Sequence, residues 1–276
     1  MKDNQQGTPR KYGMVIDLDK CTGCGSCMVA CMSENNVPFK KDETDKLKSI
    51  TWMRVYKLTN GKPFPDTEVC YLPRPCMHCE GQHGHPPCVS VCPATATDYD
   101  HTSGIVSQIY TRCFGCRYCM AACPYHARYF NWFDPVWPEG MKESLSPNVS
   151  VRMRGVVEKC SFCYHRYQLA MEKAYVEGRD TLEEDEYQTS CTQACPSGAI
   201  IFGDLNNPGH AVHQIVQPDP AHGGKPGNPD VFRLLERLGT NPKIYYSSSR
   251  EWVRKSGDNH LKTETPEKTQ APEKGH

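Results

Sequence analysis

The sequence predicts an α+β fold, with small sheets and short helices arranged around cysteine-rich loops. Three observations support this prediction. The apolar fraction is only 38%, which is low for a globular chain of this length. Glycine (21) and proline (22) are plentiful and favour turns over long regular elements. The 17 cysteines fall into groups, and because metal binding contributes free energy to folding, they could replace part of the missing core.

Length and charge exclude several classes of protein. The 276 residues suffice for one large or two smaller domains. Lys+Arg and Asp+Glu are both 32, so the balance predicts no nucleic-acid binding. No apolar run approaches the roughly 20 residues that span a bilayer, and the polar start MKDNQQGTPRKYG is unlike a secretory signal. We therefore expect a chain without a membrane span, whose export would depend on a partner that carries a signal.

Four groups of four cysteines repeat one spacing. Every group begins with C-x2-C and closes with C-x3-C, and in the second and fourth groups the central gap widens to eight and 27 residues. The groups are Cys21, Cys24, Cys27 and Cys31; Cys76, Cys79, Cys88 and Cys92; Cys113, Cys116, Cys119 and Cys123; and Cys160, Cys163, Cys191 and Cys195. The last three groups are each followed by proline.

This spacing is that of bacterial ferredoxins, in which three cysteines bind one [4Fe–4S] cluster and the fourth binds another. The C-x2-C-x2-C loop can wrap three thiolates around one cluster, and the x3 step enters a short helix that carries the fourth away. Zinc ribbons also use C-x2-C pairs, but without the third and fourth cysteines at these spacings. The sequence therefore favours iron–sulfur ligation, with structural zinc as the alternative.

The segments between the cysteine groups predict the secondary structure. Residues 13–19 alternate like a strand before Cys21, residues 97–110 predict strand, turn and strand before Cys113, and residues 199–202 predict another strand. Strand, cysteine loop, short helix and strand is the ferredoxin order. A charged stretch at 165–178 predicts a helix.

The C-terminal region predicts one further helix and a tail. In residues 230–238, Asp230 is a typical N-cap, Gly239 a typical end, and an apolar face lies between them. That face consists of Val231, Leu234, Leu235 and Leu238. From about residue 255 the chain is rich in Lys, Glu, Thr and Pro, so we expect it to be disordered or laid over another subunit.

The cysteine groups and their flanking words resemble the four-cluster iron–sulfur subunits of the complex iron–sulfur molybdoenzyme family. The resemblance covers residues 13–208. The matching words are DKCTGCGSCMVAC, CMHC, CVSVCPATA, RCFGCRYCMAACPYHARYFNW, VEKCSFCYHR and ACPSGAIIFGDLNNP. The later word RLGTNPKIYY at 237–246 is similar to the subunits of menaquinone reductase complexes and of alternative complex III.

The resemblance implies which cysteines share a cluster. In the family the first group pairs with the fourth and the second with the third, whereas spacing alone would allow other pairings. The implied sets are Cys21, Cys24, Cys27 and Cys195 (cluster 1); Cys160, Cys163, Cys191 and Cys31 (cluster 2); Cys76, Cys79, Cys88 and Cys123 (cluster 3); and Cys113, Cys116, Cys119 and Cys92 (cluster 4). All sixteen positions are filled, so we expect four [4Fe–4S] clusters. Because this chain extends the loop at 80–87 and the span between Cys163 and Cys191, one [3Fe–4S] cluster is the alternative.

The implied architecture is two ferredoxin-like domains, the second inserted within the first, with a loop-rich C-terminal extension. Residues 1–64 and 150–215 would form the first domain, 65–149 the inserted domain, and 216–276 the extension and tail.

The implied function is electron transfer within a respiratory complex. The chain would relay single electrons between a periplasmic redox subunit, either molybdopterin-enzyme-like or a multihaem cytochrome, and a quinone-reactive integral membrane subunit. It would lie at the inner membrane on the periplasmic face, with the cytoplasmic face as the alternative. No G-x-S-x-G, Walker or G-x-G-x-x-G motif is present, so we expect no catalysis by the chain alone. A free-standing polyferredoxin, or an electron subunit of a cytoplasmic oxidoreductase, is the other alternative.

Several residues outside the four groups have two interpretations. We expect Cys70 to be a small buried hydrophobe, and His83 and His85 to be loop residues or neighbours of a cluster rather than ligands. An aromatic run could line a quinone pocket, but we favour exclusion of water and docking of a partner. It comprises Tyr125, Tyr129, Phe130, Trp132 and Phe133. Lys159 and Arg117 adjoin cysteines and either tune a cluster potential or are ordinary surface charges.

Overall fold

A four-stranded sheet joins segments from both ends of the chain. The computed structural model describes residues 9–38, 50–82, 84–219 and 225–259. Strand β1 (Tyr12–Asp17) lies between β8 (Ile200–Asp204), which is antiparallel to it, and β12 (Ile244–Ser247), which is parallel to it. Strand β11 (Val231–Phe232) completes the order β11-β12-β1-β8.

Both faces of β1 are covered, which explains its nearly continuous apolar sequence. Met14 and Ile16 lie in the main core, whereas Val15 points to a smaller core with Val212 and Val216. A strand buried on both sides does not need alternation of polar and apolar residues. The main core also contains cysteines of three groups, so apolar packing continues directly into the cysteine loops.

The remaining strands of the described residues form four two-stranded sheets. All four are antiparallel. Three lie around the cysteine loops, and the fourth lies near the C-terminal region. They are β2 (Arg54–Thr59) with β3 (Val69–Arg74), β4 (Thr97–Tyr99) with β5 (Val106–Gln108), β6 (Tyr129–Phe130) with β7 (Val157–Glu158), and β9 (Pro218–Asp219) with β10 (Lys225–Pro226). The strands predicted at 13–19, 97–110 and 199–202 are confirmed.

Seven α-helices are described, and most are short. They are α1 (Ser26–Glu34), α2 (Pro87–Ser90), α3 (Tyr118–Ala121), α4 (Tyr164–Val176), α5 (Ser190–Gln193), α6 (Ala211–Val216) and α7 (Glu251–Asn259). Single 3₁₀ turns occupy Tyr110–Arg112, Met141–Ser144 and Glu236–Leu238. The helix predicted at 165–178 is confirmed as α4.

The short helices hold the cysteines in a common arrangement. The third cysteine of each group lies in a helix: Cys27 in α1, Cys88 in α2, Cys119 in α3 and Cys191 in α5. The fourth cysteine follows within four residues, and α1 is long enough to include Cys31. The predicted step from loop into helix is thus present in all four groups.

The helix predicted at 230–238 is wrong. Residues 231–232 pair with β12 instead, with Val231 opposite Ser247 and Phe232 opposite Tyr246. Leu235 has a left-handed backbone with φ of 51°, which interrupts any helix at that point. The strand and turn still bury Val231, Leu234 and Leu235, so the apolar residues reach the core without helical periodicity.

The C-terminal region is more ordered than the sequence indicates. Helix α7 continues through residue 259, beyond the predicted start of the tail at about 255. The rest of the predicted tail lies outside the described residues. Within the described ranges, no helix combines the length and the apolar character that crossing a membrane requires.

Candidate iron–sulfur centres

Cys92 of the second group and three cysteines of the third group line one cavity. The cavity has a volume of about 290 Å³ including its open mouth, and its cysteines are Cys92, Cys113, Cys116 and Cys119. The loop that carries Cys116 reaches its place through Gly115, which has φ of 78° and lies against the carbonyl oxygen of Gly155. A side chain at that position would collide with this backbone, so glycine permits the close approach of the two loops.

Backbone N–H groups point at sulfur atoms of this cavity. The N–H of Ala96 donates to Cys92 Sγ at 3.2 Å, and the N–H of Val157 donates to Cys113 Sγ at 3.4 Å. Although burial acts to raise it, the pKa of Cys92 lies below its ordinary value because of hydrogen bonds from the backbone of 94–97 and from Thr97. Such donors favour the thiolate, which is the form that binds metal.

A second set lies deep in the protein and joins the first and fourth groups. Cys31, Cys160, Cys163 and Cys191 are all buried. Burial raises the pKa of Cys31 well above its ordinary value, and the neighbouring thiols of the other three raise it further. The side-chain amide of Asn35 lies 3.8 Å from Cys31 Sγ and 3.7 Å from Cys163 Sγ, so one donor serves two cysteines that are far apart in the sequence.

Cys195 lies with the first three cysteines of the chain. The pKa of Cys27 is raised to about 11. Burial is the largest cause, and the electrostatic effects of Cys21, Cys195 and Cys24 act in the same direction. Cys24 is exposed, so this set lies nearer the protein surface than the set around Cys31.

The fourth set joins the second and third groups. Burial raises the pKa of Cys79, and the thiols of Cys76, Cys123 and Cys88 act in the same direction. The nearby hydroxyl of Thr240 opposes this increase. Four thiolates this close would repel one another, so cations are needed for all of them to ionise.

A buried guanidinium supplies positive charge between two of these sets. Arg128 is 4% exposed, and Cys88, Cys119 and Cys76 stabilise its charge electrostatically. Its Nη1 donates to Gln108 Oε1 at 2.9 Å, whereas its buried Nη2 has no partner among the described residues. A donor left free beside cysteines fits a sulfur-rich, negatively charged group.

Two further buried polar groups lie between cysteine loops. Lys159 Nζ donates to the carbonyl oxygens of Val106 and Cys160, so the interpretation of Lys159 as a surface charge is wrong. His78 stacks on Phe162 with ring centroids 3.6 Å apart, and its Nδ1 accepts the N–H of Val106 at 3.2 Å. Burial lowers the pKa of His78 well below its ordinary value, which keeps the imidazole neutral.

The other residues singled out in the sequence have clear positions. Cys70 is buried in the main core, as expected, and His85 is exposed, whereas His83 lies outside the described residues. Tyr125 is buried, while Trp132 and Phe133 are exposed. Arg117 is exposed and stacks over the rings of Phe130 and Trp132 at 5.2 and 5.0 Å.

Sequence reasoning missed Asn35, His78, Arg128 and Thr240. Only Arg128 had a visible signal, a charged residue within the aromatic stretch after Cys123. Among the described residues, no three His, Cys, Asp or Glu side chains meet at a position suited to a single metal ion.

Comparison with known proteins identifies iron–sulfur domains in this chain. Residues 12–33 match the model of a 4Fe-4S binding domain, and residues 67–138 and 112–199 match two models of a 4Fe-4S dicluster domain. The chain is 63% identical over 256 residues to the menaquinone reductase iron–sulfur cluster-binding subunit of Nitratidesulfovibrio vulgaris. The aligned region covers 92% of this chain and 95% of the relative.

Two more distant relatives have related names. The Hdr-like menaquinol oxidoreductase iron–sulfur subunit 1 of Archaeoglobus fulgidus is 38% identical, over 86% of this chain and 83% of the relative. A putative dimethyl sulfoxide reductase iron–sulfur subunit of Halobacterium salinarum is 38% identical, over 91% and 86%. The chain therefore belongs to the family of iron–sulfur electron-transfer subunits found in menaquinone reductase and related oxidoreductase complexes, and it binds multiple [4Fe–4S] clusters.

Proposed function

We propose that the chain relays single electrons through four [4Fe–4S] clusters between a redox subunit and a quinone-reactive membrane subunit. The observation that carries this proposal is the cavity that Cys92 shares with Cys113, Cys116 and Cys119. That lining places the last cysteine of the second group beside the first three cysteines of the third group, and such an exchange between cysteine groups is typical of two-cluster ferredoxins.

The proposed ligand sets follow the proximity of the thiols. Each set takes three cysteines from one group and the last cysteine of another group, as the cavity and the mutual electrostatic effects of the thiols suggest. The sets are Cys21, Cys24, Cys27 and Cys195; Cys31, Cys160, Cys163 and Cys191; Cys76, Cys79, Cys88 and Cys123; and Cys92, Cys113, Cys116 and Cys119. One cluster with an iron missing is the alternative at the two extended loops.

The same contacts support an inserted domain. We infer that residues 65–149 form a ferredoxin-like domain inserted between residues 1–64 and 150–215, followed by an extension over 216–276. In support, β1 pairs with β8 across the intervening chain, and Ser190 Oγ of α5 donates to the carbonyl oxygen of Ala30 in α1 at 3.1 Å. Helices α2 and α3 contact each other in the same way within 65–149.

The residues of this chain set the conditions for electron transfer. Bound clusters supply reversible one-electron oxidation and reduction. Seven of the sixteen grouped cysteines are buried, which excludes water from their sulfur atoms. Asn35, the N–H groups of Ala96 and Val157, and Arg128 stabilise negative charge on sulfur. Because no bond of a substrate changes, the chain needs no general acid, base or nucleophile.

We infer that partners dock at the aromatic surface beside the cavity. Phe114 and Tyr118 are 67% and 65% exposed, and Trp132 and Phe133 are also exposed. Phe114 and Arg117 line the cavity, so a partner covering them would lie close to the cluster held there. The name of the Nitratidesulfovibrio relative favours a menaquinone-reactive partner in the inner membrane. A molybdopterin-enzyme-like or cytochrome subunit would be the other partner, on the periplasmic face.

Metal analysis and co-purification test this proposal separately. The purified chain should contain four iron ions and four acid-labile sulfides for each set of four cysteines, whereas zinc without sulfide would contradict the cluster assignment. Affinity purification from solubilised membranes should recover a quinone-reactive membrane protein and a redox subunit. A fully active monomer in the soluble fraction would instead support the free-standing polyferredoxin.

A further inference from the structure

Each sulfur atom of one buried cysteine set has a hydrogen-bond donor close to it. This set, which we call the Cys31 set, consists of Cys31, Cys160, Cys163 and Cys191. Asn35 Nδ2 lies 3.8 Å from Cys31 Sγ and 3.7 Å from Cys163 Sγ. Thr189 Oγ1 lies 3.2 Å from Cys191 Sγ, and the N–H of Phe162 donates to Cys160 Sγ at 3.5 Å. Two of these donors are side chains, so substitution can remove them without changing a cysteine.

The orientation of the Asn35 amide follows from its other partner. Asn35 Nδ2 also lies 2.9 Å from the carbonyl oxygen of Cys31, which can only accept a hydrogen bond. The nitrogen of the amide must therefore face Cys31, and its second hydrogen is left for the two sulfur atoms. Arg152 Nη1 donates to the carbonyl oxygen of Asn35 at 2.6 Å, so a separate segment holds this turn in place.

Thr189 directs its hydroxyl at sulfur instead of capping its helix. It is the N-cap residue of α5 and is 1% exposed, yet its side chain makes no capping bond to the described backbone. Threonine at an N-cap commonly accepts a backbone N–H. A cysteine that binds iron is a thiolate and can only accept a hydrogen bond. Thr189 must then donate its proton to Cys191 Sγ, and its oxygen can accept the proton of the Thr192 hydroxyl, 2.8 Å away.

We propose that Asn35 and Thr189 are positioning residues that raise the reduction potential of the cluster held by the Cys31 set. This inference rests on the proposed ligand sets. One-electron reduction adds negative charge to the cluster and its thiolates, and hydrogen bonds to sulfur stabilise that charge. Burial has the opposite effect, because it keeps water away from the charge. The two side chains therefore stabilise the reduced cluster where water does not reach it.

A redox titration with dithionite, followed by electron paramagnetic resonance, tests both residues in the full chain within its complex. Asn35→Leu keeps a side chain of similar size but removes the amide donor, and Thr189→Val keeps the branched shape but removes the hydroxyl. Each change should lower the midpoint potential of the same cluster while the other midpoints stay unchanged. The double variant should lower it further. Thr189→Ser keeps a hydroxyl and should retain the midpoint of the unmodified chain.

Two further variants make the result specific. The signal that shifts should be the one that Cys160→Ala removes. Asn36→Gly is the matched control, because Asn36 is also buried but its Nδ2 donates to the carbonyl oxygens of Ser146 and Val149 at 2.8 and 2.7 Å. The φ of 47° at Asn36 suits glycine, so this substitution should lower stability without moving any midpoint.

The outcomes separate this inference from the proposed function. An unchanged midpoint in Asn35→Leu or in Thr189→Val, with full iron content, would overturn the role of that residue. A shift in a signal that survives Cys160→Ala, or an equal fall in Asn36→Gly, would overturn both roles and leave the four clusters intact. If Asn35→Leu loses the cluster, Thr189→Val decides, because an unchanged midpoint in that variant would overturn the proposal. Too little iron and sulfide in the unmodified chain would instead contradict the proposed function.

Discussion

Glu34 and Arg166 form a two-point ion pair between α1 and α4. Arg166 Nε lies 2.7 Å from Glu34 Oε1, and Nη2 lies 2.6 Å from Oε2. Helix α1 contains Cys31, and α4 begins directly after Cys163. The planar guanidinium fork matches the carboxylate, so this pair fixes the distance between two segments that supply cysteines to one proposed cluster.

Arg166→Gln should weaken the hold of the protein on that cluster. Hydrogen bonds to charged groups contribute about 1.5–3 kcal/mol each, and less where the pair is partly exposed as here. We expect faster loss of visible cluster absorbance in moderate denaturant. Arg179→Gln is a matched control, because Arg179 pairs with Glu177 and Glu186 away from the cysteines. Equal bleaching rates in both variants would contradict the role of the Glu34–Arg166 pair.

The contribution of this pair should disappear in acid. The hydrogen bond from Arg166 is the largest cause that lowers the pKa of Glu34 from 4.5 to about 2. A carboxyl group with a lowered pKa in the folded state stabilises that state above its unfolded pKa and loses this effect as the pH falls toward the folded value. The ratio of bleaching rates between Glu34→Gln and the unmodified chain should therefore change on acidification. It should decrease between about pH 4.5 and 2, and a ratio that grows on acidification would contradict this assignment.

The sequence predicted local elements well because their signals are local. Strand β1 follows from its apolar run, and the short helices follow from the cysteine spacing. The parallel pairing of β1 with β12 was not predictable, because Met14 and Ile244 become neighbours only after the intervening chain has folded. The helix expected at 230–238 failed for a related reason, since pairing with Tyr246 decided the conformation of Phe232.

In the candidate site, too, local features were predictable from the sequence and long-range contacts were not. Spacing identified sixteen cysteines but allowed several pairings among the groups. The polar side chains beside these cysteines come from distant segments of the chain. Asn35 lies beside Cys163, Arg128 beside Cys88, and Thr240 beside Cys79. A single polar residue produces no periodic sequence pattern that would predict such a contact. The tertiary structure was therefore needed to identify these residues.

Replacing Arg128 should affect two clusters together. Its charge lies near Cys88 and Cys119, which belong to different proposed sets. Arg128→Met removes a buried positive charge, so the midpoint potentials of both clusters should fall in a redox titration followed by electron paramagnetic resonance. The variant also removes the guanidinium hydrogen bond to Gln108 Oε1, which keeps the Thr97 hydroxyl as a donor at 2.9 Å. Losing this charged hydrogen bond should cost about 1.5–3 kcal/mol in stability.

Arg128→Lys separates charge from hydrogen bonding in this prediction. Lysine keeps the positive charge but lacks the several N–H donors of the guanidinium group. The midpoint potentials should therefore stay closer to those of the unmodified chain, while stability still decreases. A fall of only one midpoint in Arg128→Met would show that the guanidinium serves a single cluster.

Cys31→Ala tests the exchange of cysteines between groups most directly. Cys31 lies in the same helix as Cys27, yet the thiols that most affect its pKa are those of Cys160, Cys191 and Cys163. The substitution should therefore damage the cluster of the fourth group and leave the cluster of Cys21, Cys24 and Cys27 intact. Electron paramagnetic resonance and iron analysis should show the loss or conversion of one cluster.

Cys70→Ala is the matched control, because Cys70 is also a buried cysteine but lies outside the four groups. It removes a sulfur from the main core and should cost about 1 kcal/mol in stability with no change in iron content. If Cys31→Ala instead removed the cluster of its own group, each C-x2-C-x2-C-x3-C run would hold its own cluster. The proximity of Cys31 to the fourth group would then be a matter of packing alone, while the number of clusters could remain four.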